Sequence, residues 1–119
     1  MTSAKYVYCI NMVYIASDHA GFTLKDQIIH FLQGKGISFT DCGAFSIDPD
    51  DDYPDYAQLL CESVSSPDDR GIAICASGQG MCIACNRYSH IRGAQAWSVE
   101  TAHKARTDDD ANVLCLAGE

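Results

Sequence analysis

The chain has 119 residues, 47% hydrophobic and 20% charged, which is the size of one globular domain and leaves no room for a second. Eight Lys and Arg against sixteen Asp and Glu give a formal charge of −8, which opposes broad contact with nucleic acid or anionic membranes. The apolar runs break well short of the ~20 residues of a membrane span, and the hydrophobic share and mixed sequence exclude a disordered or collagenous chain.

In chain order, residues 12–17 (MVYIAS) make the first strand-sized apolar run, and Phe22, Ile28, Ile29 and Leu32 follow at helical spacing. A second run covers 38–43 (SFTDCG), followed by a helical set of Tyr56, Leu59, Leu60 and Val64. Three more strand-sized runs lie at 71–76 (GIAICA), 92–97 (RGAQAW) and 112–117 (NVLCLA). Apolar runs without strict alternation suit strands buried on both faces, and their alternation with helices suits parallel crossovers. The pattern predicts an α/β fold with a five-stranded parallel sheet. The sequence stops at Glu119, just past the last predicted strand and without a closing helix, which reads as a domain lacking its C-terminal segment.

Seven cysteines, an odd number set mostly in apolar stretches, read as reduced thiols rather than a disulfide framework. The N-terminus MTSAKYVYCIN has neither the basic lead nor the long apolar core of a signal peptide, so a cytoplasmic protein is expected.

Ligands of open parallel sheets sit at the carboxyl ends of the strands, so the informative residues are those that follow each strand. Between the third strand and its helix stand Cys75, Ala76, Ser77, Gly78, Gln79 and Gly80. Small residues and glycines there let backbone N–H groups converge on an anion, and the same field favours a thiolate on Cys75, equipping it as a base or nucleophile. Cys and Gly are also ordinary buried and turn residues. After the first strand come Asp18 and His19, read either as a helix cap with an idle exposed histidine or as a ligand-contacting pair.

Cys82-x-x-Cys85 falls inside a predicted helix without a second CxxC or a spaced His pair, and reads as packing rather than a metal or redox site. The triplets Asp50-Asp51-Asp52 and Asp108-Asp109-Asp110 read as solvated acidic loops, and Trp97 as a core or interface group. No dinucleotide fingerprint or Walker lysine accompanies the glycines, so neither a nicotinamide cofactor nor NTPase chemistry is expected, and no metal.

Together, Ser17-Asp18-His19-Ala20-Gly21-Phe22 with Leu24-Lys25, Asp41-Cys42-Gly43, Asp52-Tyr53-Pro54-Asp55-Tyr56-Ala57, GIAICASGQGMCIACNR at 71–87, Ile91-Arg92 and Asp110-Ala111-Asn112-Val113-Leu114 form an ordered set. It resembles the ribose-5-phosphate isomerase B family, which includes the galactose-6-phosphate isomerase subunits. The resemblance implies a Rossmann-like three-layer α/β/α sandwich and a cofactor-free aldose-ketose isomerase acting on ribose 5-phosphate and ribulose 5-phosphate. A galactose-6-phosphate isomerase subunit and a non-catalytic sugar-phosphate-binding domain are the alternatives.

It further implies Cys75 as the base moving a proton between C1 and C2, the loop from Ala76 to Gly80 with the Ser77 hydroxyl stabilising the enediolate, and Asp18, His19 and Tyr53 contacting substrate. Where the family reads His-Asn-Asp-Ala-Asn, this chain has Asp108-Asp109-Asp110-Ala111-Asn112, so Asp108 takes the position of the ring-opening histidine and Asp109 stands with the substrate contacts. The family's phosphate-binding arginines fall at and beyond Glu119. The implied assembly is a homodimer, or a tetramer, with sites shared between subunits.

Overall fold

The computed structural model describes residues 10–119 and contains five strands, a short 3-10 turn and four helices. Strand β1 (Val13–Ser17) leads through a 3-10 turn (His19–Gly21) into α1 (Phe22–Gly34). Then come β2 (Phe39–Asp41), α2 (Tyr53–Ser63), β3 (Arg70–Cys75), α3 (Gln79–Cys85), β4 (Gly93–Gln95), α4 (Val99–Asp109) and β5 (Val113–Ala117). All pairings are parallel and the order across the sheet is β2-β1-β3-β5-β4, which bears out the predicted five-stranded parallel sheet.

The strands at the two edges are shorter than predicted. Only three residues of 38–43 and three of 92–97 pair, because β2 and β4 each have a ladder on one side only. Local signals set the helix ends. Past α1, Gly36 adopts φ +67°, and the amides of Gly36 and Ile37 return to the carbonyls of Gln33 and Leu32 at 3.1 and 3.0 Å, closing the helix with a left-handed cap. Pro54 opens α2, and Ser98 with Thr101 forms a reciprocal cap on α4.

Right-handed crossovers place α1 and α4 on one face of the sheet and α2 and α3 on the other. On the α2/α3 face, Ala16, Ala73, Cys75, Val113 and Cys115 pack against Ala57, Leu60, Cys61, Val64, Met81 and Cys85. Small strand side chains let these helices sit close to the sheet. Ala57, Leu60, Cys61 and Val64 carry the buried stripe of α2, whereas Leu59, predicted within it, points to solvent: core positions recur at i, i+3, i+4 and i+7, which excludes it. On the opposite face Ile72 and Leu114 remain half-buried and, with Val13, Leu32 and Ala102, line an apolar groove of about 330 Å³ between α1 and α4.

Lys25 is almost fully buried in α1. Its Nζ donates to Asp41 Oδ1 at 2.7 Å and lies over the rings of Phe22 and Phe45, while Asp41 also accepts from the Gly43 amide at 2.9 Å. A buried ammonium needs such a partner, and the pair ties α1 to the exit of β2, just before the loop that enters the site.

Candidate active site

The chain leaves β1 toward β2 on one side and returns from β2 to β3 on the other, so the order reverses between β1 and β3. The carboxyl ends of these two strands therefore flank the crevice where ligands of open α/β sheets bind. Cys75 ends β3, 5% exposed, and Asp18 follows β1. The Asp18 amide donates to the Ile74 carbonyl at 3.4 Å, so the two strand ends are stitched together.

Residues 76–80 turn sharply over the end of β3. Gly78 takes φ +79°, and a Cβ there would lie 2.9 Å from the Leu116 carbonyl carbon, so both its conformation and its space require glycine. On Gly80 a Cβ would meet the Tyr53 ring at 2.6 Å, because Tyr53 at the head of α2 packs against the loop. Ser77 Oγ accepts from the Gln79 amide at 3.3 Å, and the Ser77 carbonyl accepts from Gln95 Nε2 at 2.6 Å. The first amides of α3 have no helical carbonyl before them, and apart from the Gln79 amide, which Ser77 Oγ accepts, they are donors left for a ligand. The Gly118 and Glu119 amides bond the carbonyls of Cys75 and Ala76 at 2.8 and 3.1 Å, bracing the turn from β5.

Asp18 is buried and caps the 3-10 turn: its Oδ1 accepts from the Gly21 amide at 3.2 Å. The cap and ligand readings of Asp18 are therefore not exclusive, since one carboxylate oxygen serves the turn. His19 is held by Asp51, whose Oδ1 accepts from the His19 amide at 3.0 Å and lies 2.7 Å from Nδ1. That hydrogen bond, reinforced by the nearby charges of Asp51, Asp18 and Asp48 and opposed by partial burial, raises the His19 pKa above its ordinary 6.5.

Asp51 corrects the reading of its triplet. Asp50 and Asp52 are exposed, but the Asp51 side chain is only 7% exposed, because the loop folds back through Asp48: the Asp51 amide bonds the Asp48 carbonyl and the Asp50 amide its carboxylate. Three identical residues in a row carry no signal of which one turns inward. Gln95 is the other site residue the sequence did not single out; a polar side chain at the carboxyl end of β4 was the available sign.

Residues 13–119 match the family model described as Ribose/Galactose Isomerase. The chain belongs to the ribose/galactose isomerase family. It is 45% identical over 106 residues to a probable ribose-5-phosphate isomerase B of Mycoplasma pneumoniae, covering 88% of this chain and 70% of that relative. With ribose-5-phosphate isomerase B of Mycolicibacterium paratuberculosis it shares 48% identity over 107 residues, covering 89% and 67% of the two chains. The structure of ribose-5-phosphate isomerase B from Mycoplasma genitalium with bound ribulose 5-phosphate superposes with a TM-score of 0.87 at 43% identity, over 90% of this chain and 72% of that one. The Rossmann-like α/β fold expected from the motifs is thus the fold of its relatives.

This ribose/galactose isomerase brings together Cys75, Ala76, Ser77, Gly78, Gln79, Gly80 and Tyr53 beside Asp18 and His19. It does not bring Asp108 or Asp109 to them within one chain. A helix joining two parallel strands runs antiparallel to both, so the end of α4 lies at the amino ends of the strands, where the Asp109 carbonyl accepts from Arg92 Nε just before β4.

The remaining thiols of this isomerase pack. Cys82 and Cys85 lie in α3, as read, and Cys85 is buried with Cys61 and Cys115. A hydrogen bond to Cys115, with burial adding to it, pushes the Cys85 thiol up to about 12, and a hydrogen bond to Cys85 and burial push Cys61 up as well. Cys9 lies outside the described residues. Trp97 is 81% exposed, which removes the core reading and leaves the interface one. Among the described residues no helix is long and apolar enough to cross a membrane.

Proposed function

We propose that this family member interconverts ribose 5-phosphate and ribulose 5-phosphate, the step of the pentose phosphate pathway its relatives are named for, with Cys75 as the base. The observation that carries the reading is Cys75 at the β1/β3 crevice, under a turn that only glycine allows and beside Asp18 and His19. The Cys75 thiolate takes the proton from C2 of the open-chain aldose, the electron pair moves to C1–C2, and the C1 carbonyl oxygen becomes an enediolate oxygen. Returning the proton to C1 while the C2 hydroxyl passes its proton to the O1 oxyanion yields the ketose, with a C1 hydroxyl and a C2 carbonyl. The developing oxyanion is stabilised by amides of the turn at Gly78 and Gly80 and by the Ser77 hydroxyl, whose oxygen is held by the Gln79 amide, donors already in place before the charge appears. Tyr53 closes one wall, and Asp18 and His19 bind the sugar and its phosphate.

Proton transfer through an enediolate carries a solvent label. Incubated in deuterium oxide with ribose 5-phosphate, the protein is expected to form ribulose 5-phosphate with deuterium at the transferred position. Binding measured by calorimetry without turnover or exchange would instead establish a non-catalytic sugar-phosphate domain. Faster turnover on galactose 6-phosphate in the parallel assay would move the substrate to the other branch of the family.

We also assign a homodimer whose sites are completed by Asp108 and Asp109 of the second chain, Asp108 serving ring opening and Asp109 binding substrate. Their distance from Cys75 along the fold supports a second copy, as do the exposed apolar side chains Ile83, Trp97 and Val99. Light scattering should give twice the chain mass. Mixing Cys75→Ala chains with Asp108→Ala chains, each of low activity, should restore activity, since random exchange leaves roughly a quarter of the sites intact. No recovery on mixing would show that Asp108 does not act across the interface. The free cysteines among the described residues support a reducing, cytoplasmic location.

A further inference from the structure

Asp18, His19 and Asp51 place ligand-type atoms within 4.8 Å of one another, the one such group among the described residues. Their hydrogen bonds argue against a cation there. Asp51 Oδ1 is engaged by both the amide and Nδ1 of His19, and Asp18 Oδ1 by the Gly21 amide, so the facing lone pairs are already spent on protons. What the geometry forms is a carboxylate–imidazole pair. A carboxylate that is 7% exposed is poorly hydrated and Oδ2 of Asp51 has no access to water, so the carboxylate is compensated by its neighbours: the His19 amide and imidazole on Oδ1 and the adjacent Tyr56 phenol. The imidazole itself is 36% exposed, so solvent or a ligand can reach it.

We propose that Asp51 is a positioning residue for the isomerase reaction: it fixes the His19 ring through Nδ1 and directs Nε2 to the phosphate of the substrate. Two bonds to one oxygen, from the backbone amide and from the ring of the same residue, leave His19 little rotational freedom. With Nδ1–H committed to the carboxylate, the proton available to a ligand is on Nε2, since a carboxylate bonded to one ring nitrogen fixes both the tautomer and the orientation of a histidine. The charged groups facing the ring are Asp51, Asp18 and Asp48, all anionic, and all favour the imidazolium. Beside Asp51, Tyr56 has its phenol pKa raised, chiefly by burial and then by the carboxylates of Asp51, Asp48 and Asp55, so it stays neutral and adds no competing charge at neutral pH. An anionic triplet next to a phosphate site is therefore explained: its one buried member acts through the histidine, and its exposed members are screened by water.

The pH dependence follows in sign. Phosphate monoesters become dianions above about pH 6, and His19 stays protonated until the pH exceeds its raised pKa. KM is lowest in that window and climbs as the pH rises through the His19 pKa. Removing the Asp51 charge should bring this rise to lower pH, toward 6.5.

The test is Asp51→Asn, which keeps the shape and one acceptor oxygen but loses the charge. In wild-type protein, NMR titration of the His19 ring should give a pKa above 6.5. In Asp51→Asn it should drop toward 6.5, with the binding of inorganic phosphate at pH 7.5 weakened several-fold and, in the assay, KM rising up to about tenfold while kcat stays within a few-fold. A His19 titration and a KM–pH profile unchanged by Asp51→Asn overturn the proposal, as does a wild-type His19 pKa at or below 6.5, a measurement that stands even if the variant does not fold. The inference rests on the isomerase reading for what His19 binds, yet the two fail separately: a protein without isomerase activity in which Asp51→Asn still shifts His19 and weakens phosphate binding loses that reading and keeps the pair.

Discussion

Replacing Cys75 by alanine should lower turnover of ribose 5-phosphate by about 10²–10⁴-fold, the usual contribution of a positioned general base, with KM changed far less. The fold should survive. Cys75 closes β3 with its backbone paired to β5 and its carbonyl held by the Gly118 amide, and none of these bonds uses the thiol. Loss of a small buried group costs about 1 kcal/mol, which a urea melt would register as a modest shift of the midpoint. No neighbouring thiol can stand in. Cys61 and Cys85 share the core packing of Cys75 but are fully buried under α2 and α3, with thiol pKa values pushed up. Exchange of solvent deuterium into substrate should fall in step with turnover, since both pass through the same proton transfer. Turnover within tenfold of wild type would assign the base elsewhere.

Gly78→Ala should be the most damaging single-methyl change at the site. Two independent costs add: an L side chain at φ +79°, about 1 kcal/mol, and a Cβ placed 2.9 Å from the Leu116 carbonyl carbon, which belongs to backbone and cannot rotate away. Relief requires the turn to lift off β5, so we expect a loss of about 2–4 kcal/mol in unfolding free energy. The turn's amides move with it. Because the oxyanion donors must be in place before charge develops, turnover should fall by more than about 10²-fold even at temperatures where the variant is folded. Circular dichroism with the isomerase assay on the same sample separates the two effects. A variant that unfolds at the wild-type temperature and keeps its turnover would show that the turn is more pliable than its contacts imply.

Both variants act on a turn that is legible in the sequence. An apolar run followed by small residues and glycines is a strand feeding a tight anion-binding turn, because few other sequences bury a strand on both faces and then reverse direction so closely. The ordered motifs extended this to a family, and the family model and relatives agree with them over residues 13–119. Burial along α2 was less legible. Leu59 and Leu60 are chemically alike, and only the rotation of the helix against β1 and β3 sends one into the core and the other into water.

By itself, the sequence determined the five strand-sized runs and their parallel arrangement, the placement of Cys75 and Asp18-His19 at strand ends, and the enzyme class through motif order. These are local properties: apolar length, helical spacing and turn chemistry are written within a few residues of where they act. Tertiary structure alone decided which of three consecutive aspartates is buried, that Lys25 is paired with Asp41, and that Asp108 stands at the opposite end of the sheet from Cys75. Each depends on contacts between residues far apart in the chain: Asp51 meets His19 thirty-two positions away, and Lys25 meets Asp41 sixteen positions away. A side chain's surroundings in such cases are set by how separate elements pack, and a charged residue has the same local sequence signature whether it ends in water or against a buried partner.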